Sequence, residues 1–198
     1  MSCTRVIAAL ALCLTCMAAE YDMLPYLSRV FAGKMRYTVE VADAPPLASG
    51  GWMLIKIRGV AEADIANEEP SHVFATIESQ GAFIAVQSQR YPNVIHLIDR
   101  KLILRNPLGQ IMPAYAYEGP LGKMIKSLPS LQPPPGHFVA LGTGDIPPTR
   151  RTETIKLPSD DRSLRDVLTE ASLTATHSTL LWSLEVHQTW NELQIPSN

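Results

Sequence analysis

All three cysteines of this chain, Cys3, Cys13 and Cys16, lie within its first sixteen residues. From residue 17 onward no disulfide can staple the fold, no thiolate can hold a metal, and no thiol nucleophile exists. The remainder must be held together by an apolar core. Composition allows one: 46% of the 198 residues are hydrophobic and 18% are charged. That length suits one domain of ordinary size or two small ones. Sixteen prolines imply many breaks between short elements. The formal net charge is −2, without a block of like charge, so the chain-wide balance carries no electrostatic footprint for nucleic acid or an anionic membrane.

The cysteines share their segment with the layout of a secretory signal peptide. "MSCTR" supplies one arginine, "VIAALALCLTC" (6–16) is an apolar run, and small residues follow at 16–19. The run is shorter than the roughly 20 apolar residues a bilayer span needs. We expect a signal peptide at 1–19, with a mature chain starting at Ala19 or Glu20. Cys13 follows Leu12 and Cys16 follows Thr15, which does not suit lipid attachment. No second long apolar segment follows, so no transmembrane anchor is expected after cleavage. The sequence has no N-x-[ST] sequon. With the cysteine-free remainder, this points to a bacterial exported protein, periplasmic or extracellular.

Periodicity organises the rest. Residues 21–34 read as a short helix, with Leu24, Leu27 and Phe31 on one face and Gly33 as its stop. "MRYTVEVA" (35–42) alternates, Tyr37, Val39 and Val41 against Arg36, Thr38 and Glu40, which predicts a half-buried strand. A strand from Trp52, a helix from Pro70 to Ser79, and strands at 82–89 and 94–104 give the order β-α-β-β. "IMPAYAYEG" (111–119) predicts a strand and 120–128 a helix. A proline-rich linker or loop occupies 131–151. The order then recurs: a strand at 152–158, a helix in "SDDRSLRDVLTEASL" (159–173), and strands at 178–186 and 190–196. In that helix Leu164, Val167, Leu168 and Ala171 share a face, Arg165 falls on the opposite one, and Ser163-x-x-Asp166 resembles a capping box. The predicted class is α+β: small β-α-β-β modules whose helices pack on one face of short mixed sheets. The division runs 1–19 signal peptide, 20–130 N-terminal region with its fuller module at 52–104, 131–151 linker, and 152–198 C-terminal module.

The sequence of strand, polar turn, "SLRDVLTEAS", a strand containing Trp182 and a closing strand resembles the secretin and TonB short N-terminal domain. The resemblance covers 152–196 and, more loosely, 52–104. It implies a periplasmic or surface module that docks partner proteins without catalysis. Within these 198 residues no secretin pore or receptor barrel is expected.

Chemistry-bearing motifs are few. None of the five histidines, His72, His96, His137, His177 and His187, lies three or four residues from another, so a metal site would have to be assembled by the fold; none is expected, nor a cofactor. His96 and Asp99 point to opposite sides of an ideal strand, and His96 reads as an edge or core histidine with a backbone partner. "GPLGKMIKS" (119–127) has two residues between its glycines and Met124 after Lys123, which does not make a phosphate loop. The remaining candidate is the loop around "GTGD". There Gly142 and Gly144 would let backbone amides approach a ligand, and His137 and Asp145 would supply polar groups. Tyr115 with Tyr117, and Trp182 with Trp190, could form a carbohydrate or peptide platform but read rather as core or sheet-face packing. The function expected is an exported, non-enzymatic interaction or assembly module that docks another exported or envelope protein or a peptide. The alternative is a small exported hydrolase or ligand-binding protein with a site near 136–149. The sequence fixes no oligomeric state.

Overall fold

The computed structural model describes residues 20–42, 56–58, 69–104, 107–128, 146–186 and 191–195. In chain order these form β1 (Glu20–Asp22), α1 (Met23–Val30), β2 (Arg36–Ala42), β3 (Lys56–Arg58), α2 (Pro70–Ser79), β4 (Phe83–Gln87) and β5 (Val94–Asp99). Then follow β6 (Ile111–Pro120), α3 (Leu121–Ser127), α4 (Pro148–Arg151), β7 (Thr154–Ser163), α5 (Leu164–Ala175), β8 (Leu180–Val186) and β9 (Asn191–Gln194). Short 3-10 turns at Arg100–Leu102 and Pro107–Gly109 connect β5 to β6. Among the described residues no helix is long and apolar enough to cross a membrane.

The fold is α+β, with helices packed against a mixed sheet. That sheet has five strands in the order β4-β5-β2-β8-β9. β2 lies at its centre, parallel to both β5 and β8, and each of these carries an antiparallel partner outside it. The expected alternation in β2 is present, yet both of its faces are buried. A central strand parallel to both neighbours and covered on both sides has no solvent face to offer. Tyr37, Val39 and Val41 pack with α1 and α2 in one apolar cluster, beside Ile95 and Leu97 of β5. The opposite face, with Trp182 and Leu184 of β8, belongs to a larger cluster built with α5, α3 and β7. Helices therefore lie on both faces of the sheet, where the sequence pattern suggests one.

The two β-α-β-β units also close differently from their pattern. β3 pairs with β1, and β7 pairs with β6 in a long two-stranded ribbon. What recurs is the shorter unit α-β-β, as α2-β4-β5 and again as α5-β8-β9, set on either side of β2. Helix-plus-hairpin amphipathicity is a local signal. The strand on which each hairpin docks is a long-range choice that periodicity does not encode. Strands from the 20–130 region and from the 152–198 region are thus hydrogen-bonded neighbours in one sheet.

Helix α5 starts as its sequence dictates. The Ser163 hydroxyl accepts the Asp166 backbone N–H at 3.1 Å, and the Asp166 carboxylate accepts the Ser163 N–H at 3.3 Å. This reciprocal cap satisfies two otherwise orphaned donors. Leu164, Val167, Leu168 and Ala171 are all buried. Thr169, Ser172 and Ala175 are buried as well, because sheet, ribbon and α3 all contribute to the cluster around this helix.

Candidate functional site

Beneath α5 the sheet carries polar groups in its interior. Thr38 and Glu40 of β2 project toward α5, since they alternate with the residues that face α1 and α2. The Glu40 side chain is 1% exposed. Arg165, one residue into α5, reaches it with both ends of its guanidinium, Nε to Oε1 at 2.5 Å and Nη2 to Oε2 at 2.9 Å. Arg165 is therefore not a solvent residue, as the helical pattern suggests, but a bidentate partner of a buried carboxylate. The planar fork matches the carboxylate in a way lysine does not.

Beside this pair, Thr38 Oγ1 and His96 Nδ1 share a hydrogen bond of 2.8 Å. His96 is buried, stands in register with Thr38 across the β2–β5 pair, and lies near the Trp182 ring. It is a core histidine as expected, but its partner is a side chain and not the backbone. Burial, reinforced by the Arg165 charge and opposed by Asp166, lowers its pKa to about 4. At neutral pH it is an uncharged imidazole. The Trp182 indole N–H donates to Thr169 Oγ1 at 3.2 Å, closing the seam from the helix side. Asp99, at the end of β5, accepts backbone N–H groups from Lys101 and Ala42.

A second ionic group joins the β4–β5 turn to β7 and α5. The fully buried Arg162 guanidinium bonds the Glu170 carboxylate and donates to the Pro158 carbonyl at 2.8 Å. The Tyr91 hydroxyl donates to the same Glu170 at 2.8 Å, and Arg90 pairs with Asp160. Burial and then the Glu170 hydrogen bond push the Tyr91 phenol well above its ordinary pKa, so it remains a neutral donor. Each of these charges meets an opposite charge within the chain, although the buried Arg162 Nε itself has no hydrogen-bond partner among the described residues.

The five-stranded sheet ends in β4 on one side and β9 on the other. Backbone bonds from Ser88 N–H to Val94 O and from Arg100 N–H to Ala82 O set the β4 ladder, so the Ala85 N–H points away from β5. Glu78 of α2 fills that position, its carboxylate accepting the Ala85 N–H at 3.0 Å. At the other end β9 is anchored by Leu193, with Ile195 just beyond it, both buried in the larger cluster.

The loop candidates His137, Gly142, Gly144 and Asp145, like Trp190, lie outside the described residues, as does the 1–19 segment. Tyr115 and Tyr117 pack against the core from the ribbon, and Trp182 is fully buried. Lys123 is exposed on α3. Among the described residues no group of three or more His, Asp or Glu side chains is placed to hold a metal. Glu40, Arg162 and Glu170 escape sequence reasoning because a charged residue in an amphipathic pattern reads as solvent-facing. The chain matches no family model, no curated protein and no solved structure.

Proposed function

We propose that this chain is an exported, non-enzymatic docking module that receives an extended segment of another exported or envelope protein along β9. The observation that carries this reading is the place of β9 at the end of the sheet opposite the blocked β4 edge. An open edge presents a row of backbone donors and acceptors to any passing strand, and proteins blunt the edges they do not use. Here Glu78 occupies the outward Ala85 amide of β4, so a guest strand there would first have to displace a carboxylate. β9 forms the opposite end of the five-stranded order and is held in place by Leu193, which suits strand addition with main-chain hydrogen bonds. The inward charges are spent on partners within the chain, which favours an assembly role over catalysis. A photo-activated cross-linking residue at Gln194 tests this in intact cells, with Lys123 as the control position. A discrete adduct from 194 and none from 123 is expected. No adduct at 194, or the same adducts from both positions, overturns the reading.

A further inference from the structure

We infer that the turn after β5 is a contact surface for an anionic lipid bilayer, with Ile103 and Leu104 entering the interface while Arg100 and Lys101 meet the phosphates. Leu104 is 96% exposed and Ile103 48% exposed, although Leu102 and Leu108 on either side are buried. The tip is built rather than loose. Asp99 Oδ1 accepts the Lys101 N–H at 2.9 Å, and Ile103 N–H donates to Arg100 O at 3.3 Å, which closes a 3-10 turn. Leu102 is thereby anchored in a small apolar cluster with Ala42 and Ile98, and the next two aliphatic side chains are presented to solvent.

The charges next to this tip in sequence have one sign. Arg100 and Lys101 are exposed. From Arg100 to Tyr117 the sequence holds three basic residues and no carboxylate, in a chain whose formal net charge is −2. The nearest acid in sequence, Asp99, is turned inward on two backbone amides. A protruding aliphatic pair beside cations matches the layered chemistry of a bilayer surface, phosphates outside and acyl chains within. An apolar pocket on a protein would take the aliphatic pair but gives no reason for the cations. A chain-wide charge count misses the pattern because it is confined to five residues. It rests on a different observation from the reading of β9.

Vesicle co-sedimentation tests the inference, with the same form of the chain for every variant so that residues 1–19 contribute equally. Wild type should sediment with phosphatidylglycerol–phosphatidylcholine vesicles, bind pure phosphatidylcholine far less, and be released by high salt. The double variants Ile103→Ser/Leu104→Ser and Arg100→Gln/Lys101→Gln should each weaken anionic binding by about five-fold or more. Their circular dichroism and melting should be unchanged, since all four side chains point outward. Undiminished binding by either variant, or equal binding to both vesicle types, overturns the inference. So does a failure to bind lipid accompanied by self-association that the Leu104 variant abolishes, which would give the tip to a second copy of the chain.

Discussion

Arg165 and Glu40 stand 125 residues apart in sequence, yet their side chains meet in a bidentate pair beneath α5. The pair fixes the helix to the central strand of the sheet. Removing one partner takes the bidentate match from a buried charge, which costs far more than an exposed ion pair contributes. Arg165→Ala should destabilise the protein by about 3–5 kcal/mol, where the helical pattern alone would predict almost nothing. Replacing both residues together, as Glu40→Leu/Arg165→Met, should cost much less than the sum of the single changes. Urea unfolding of the four species measures the coupling. Additive losses would mean that the two side chains do not act as a pair.

Leu168 reports on the apolar side of the same helix. It is fully buried in the larger cluster, so Leu168→Ala should cost about 2–5 kcal/mol. Thr174→Ala, at an exposed position of α5, should stay within about 0.5 kcal/mol. Equal stability of the two variants would remove the core assignment of α5.

The contrast between these two residues shows what the sequence makes legible. Leu168 is readable because its burial follows from a local period, and Ser163 and Asp166 are readable because a cap is a three-residue event. Strands β2, β4, β5 and β8 follow from alternation or from apolar runs. Glu40 is not readable: an acid at an alternate strand position has the same pattern whether water or an arginine lies above it. Its burial depends on β5 and β8 flanking β2, and no local segment announces that order. His96 is halfway between. Its place in a strand is legible, with edge and core both left open, but Thr38 as its partner is a consequence of parallel register.

The β6–β7 ribbon offers a test of backbone strain. Ala114 has φ +47°, the left-handed region, at an irregularity in the pairing between Met112 and Tyr115. Asp161 accepts its N–H at 2.8 Å and Ser159 donates to its carbonyl at 3.2 Å, which hold it there. A side chain in this conformation costs about 1–2 kcal/mol, partly offset by the greater entropy glycine loses on folding. Ala114→Gly should therefore stabilise the protein by about 0.5–1 kcal/mol. Ala116→Gly, two residues along the same strand, should instead destabilise it slightly. Thermal melts of the two variants should move in opposite directions; a shared direction would remove strain as the explanation.

The proposed export makes a prediction about mass and redox together. A chain processed after Ala18 or Ala19 should be recovered with Ala19 or Glu20 at its N-terminus by intact-mass measurement. It would then contain no cysteine, and its melting temperature should be the same with and without reductant. Recovery of the full-length, membrane-bound chain, or a shift of several degrees with reductant, would exclude cleavage at these positions.

The buried imidazole of His96 sets a pH dependence whose sign is fixed. Its pKa is lowered from an ordinary 6.5 to about 4 by burial and by Arg165. Above pH 6.5 neither the folded nor the unfolded chain binds a proton at this site, and stability is at its full value. Between pH 6.5 and 4 the unfolded chain takes up a proton that the folded chain refuses, so stability falls as pH falls. Below pH 4 both states are protonated and the loss levels off at about 3 kcal/mol. Carboxylates titrate in part of the same window, so the informative quantity is the difference between wild type and His96→Gln. That variant cannot titrate, and it should lose less stability than wild type between pH 7 and pH 4.5 in urea unfolding. Parallel pH profiles for the two proteins would show that the imidazole is not held neutral in the core.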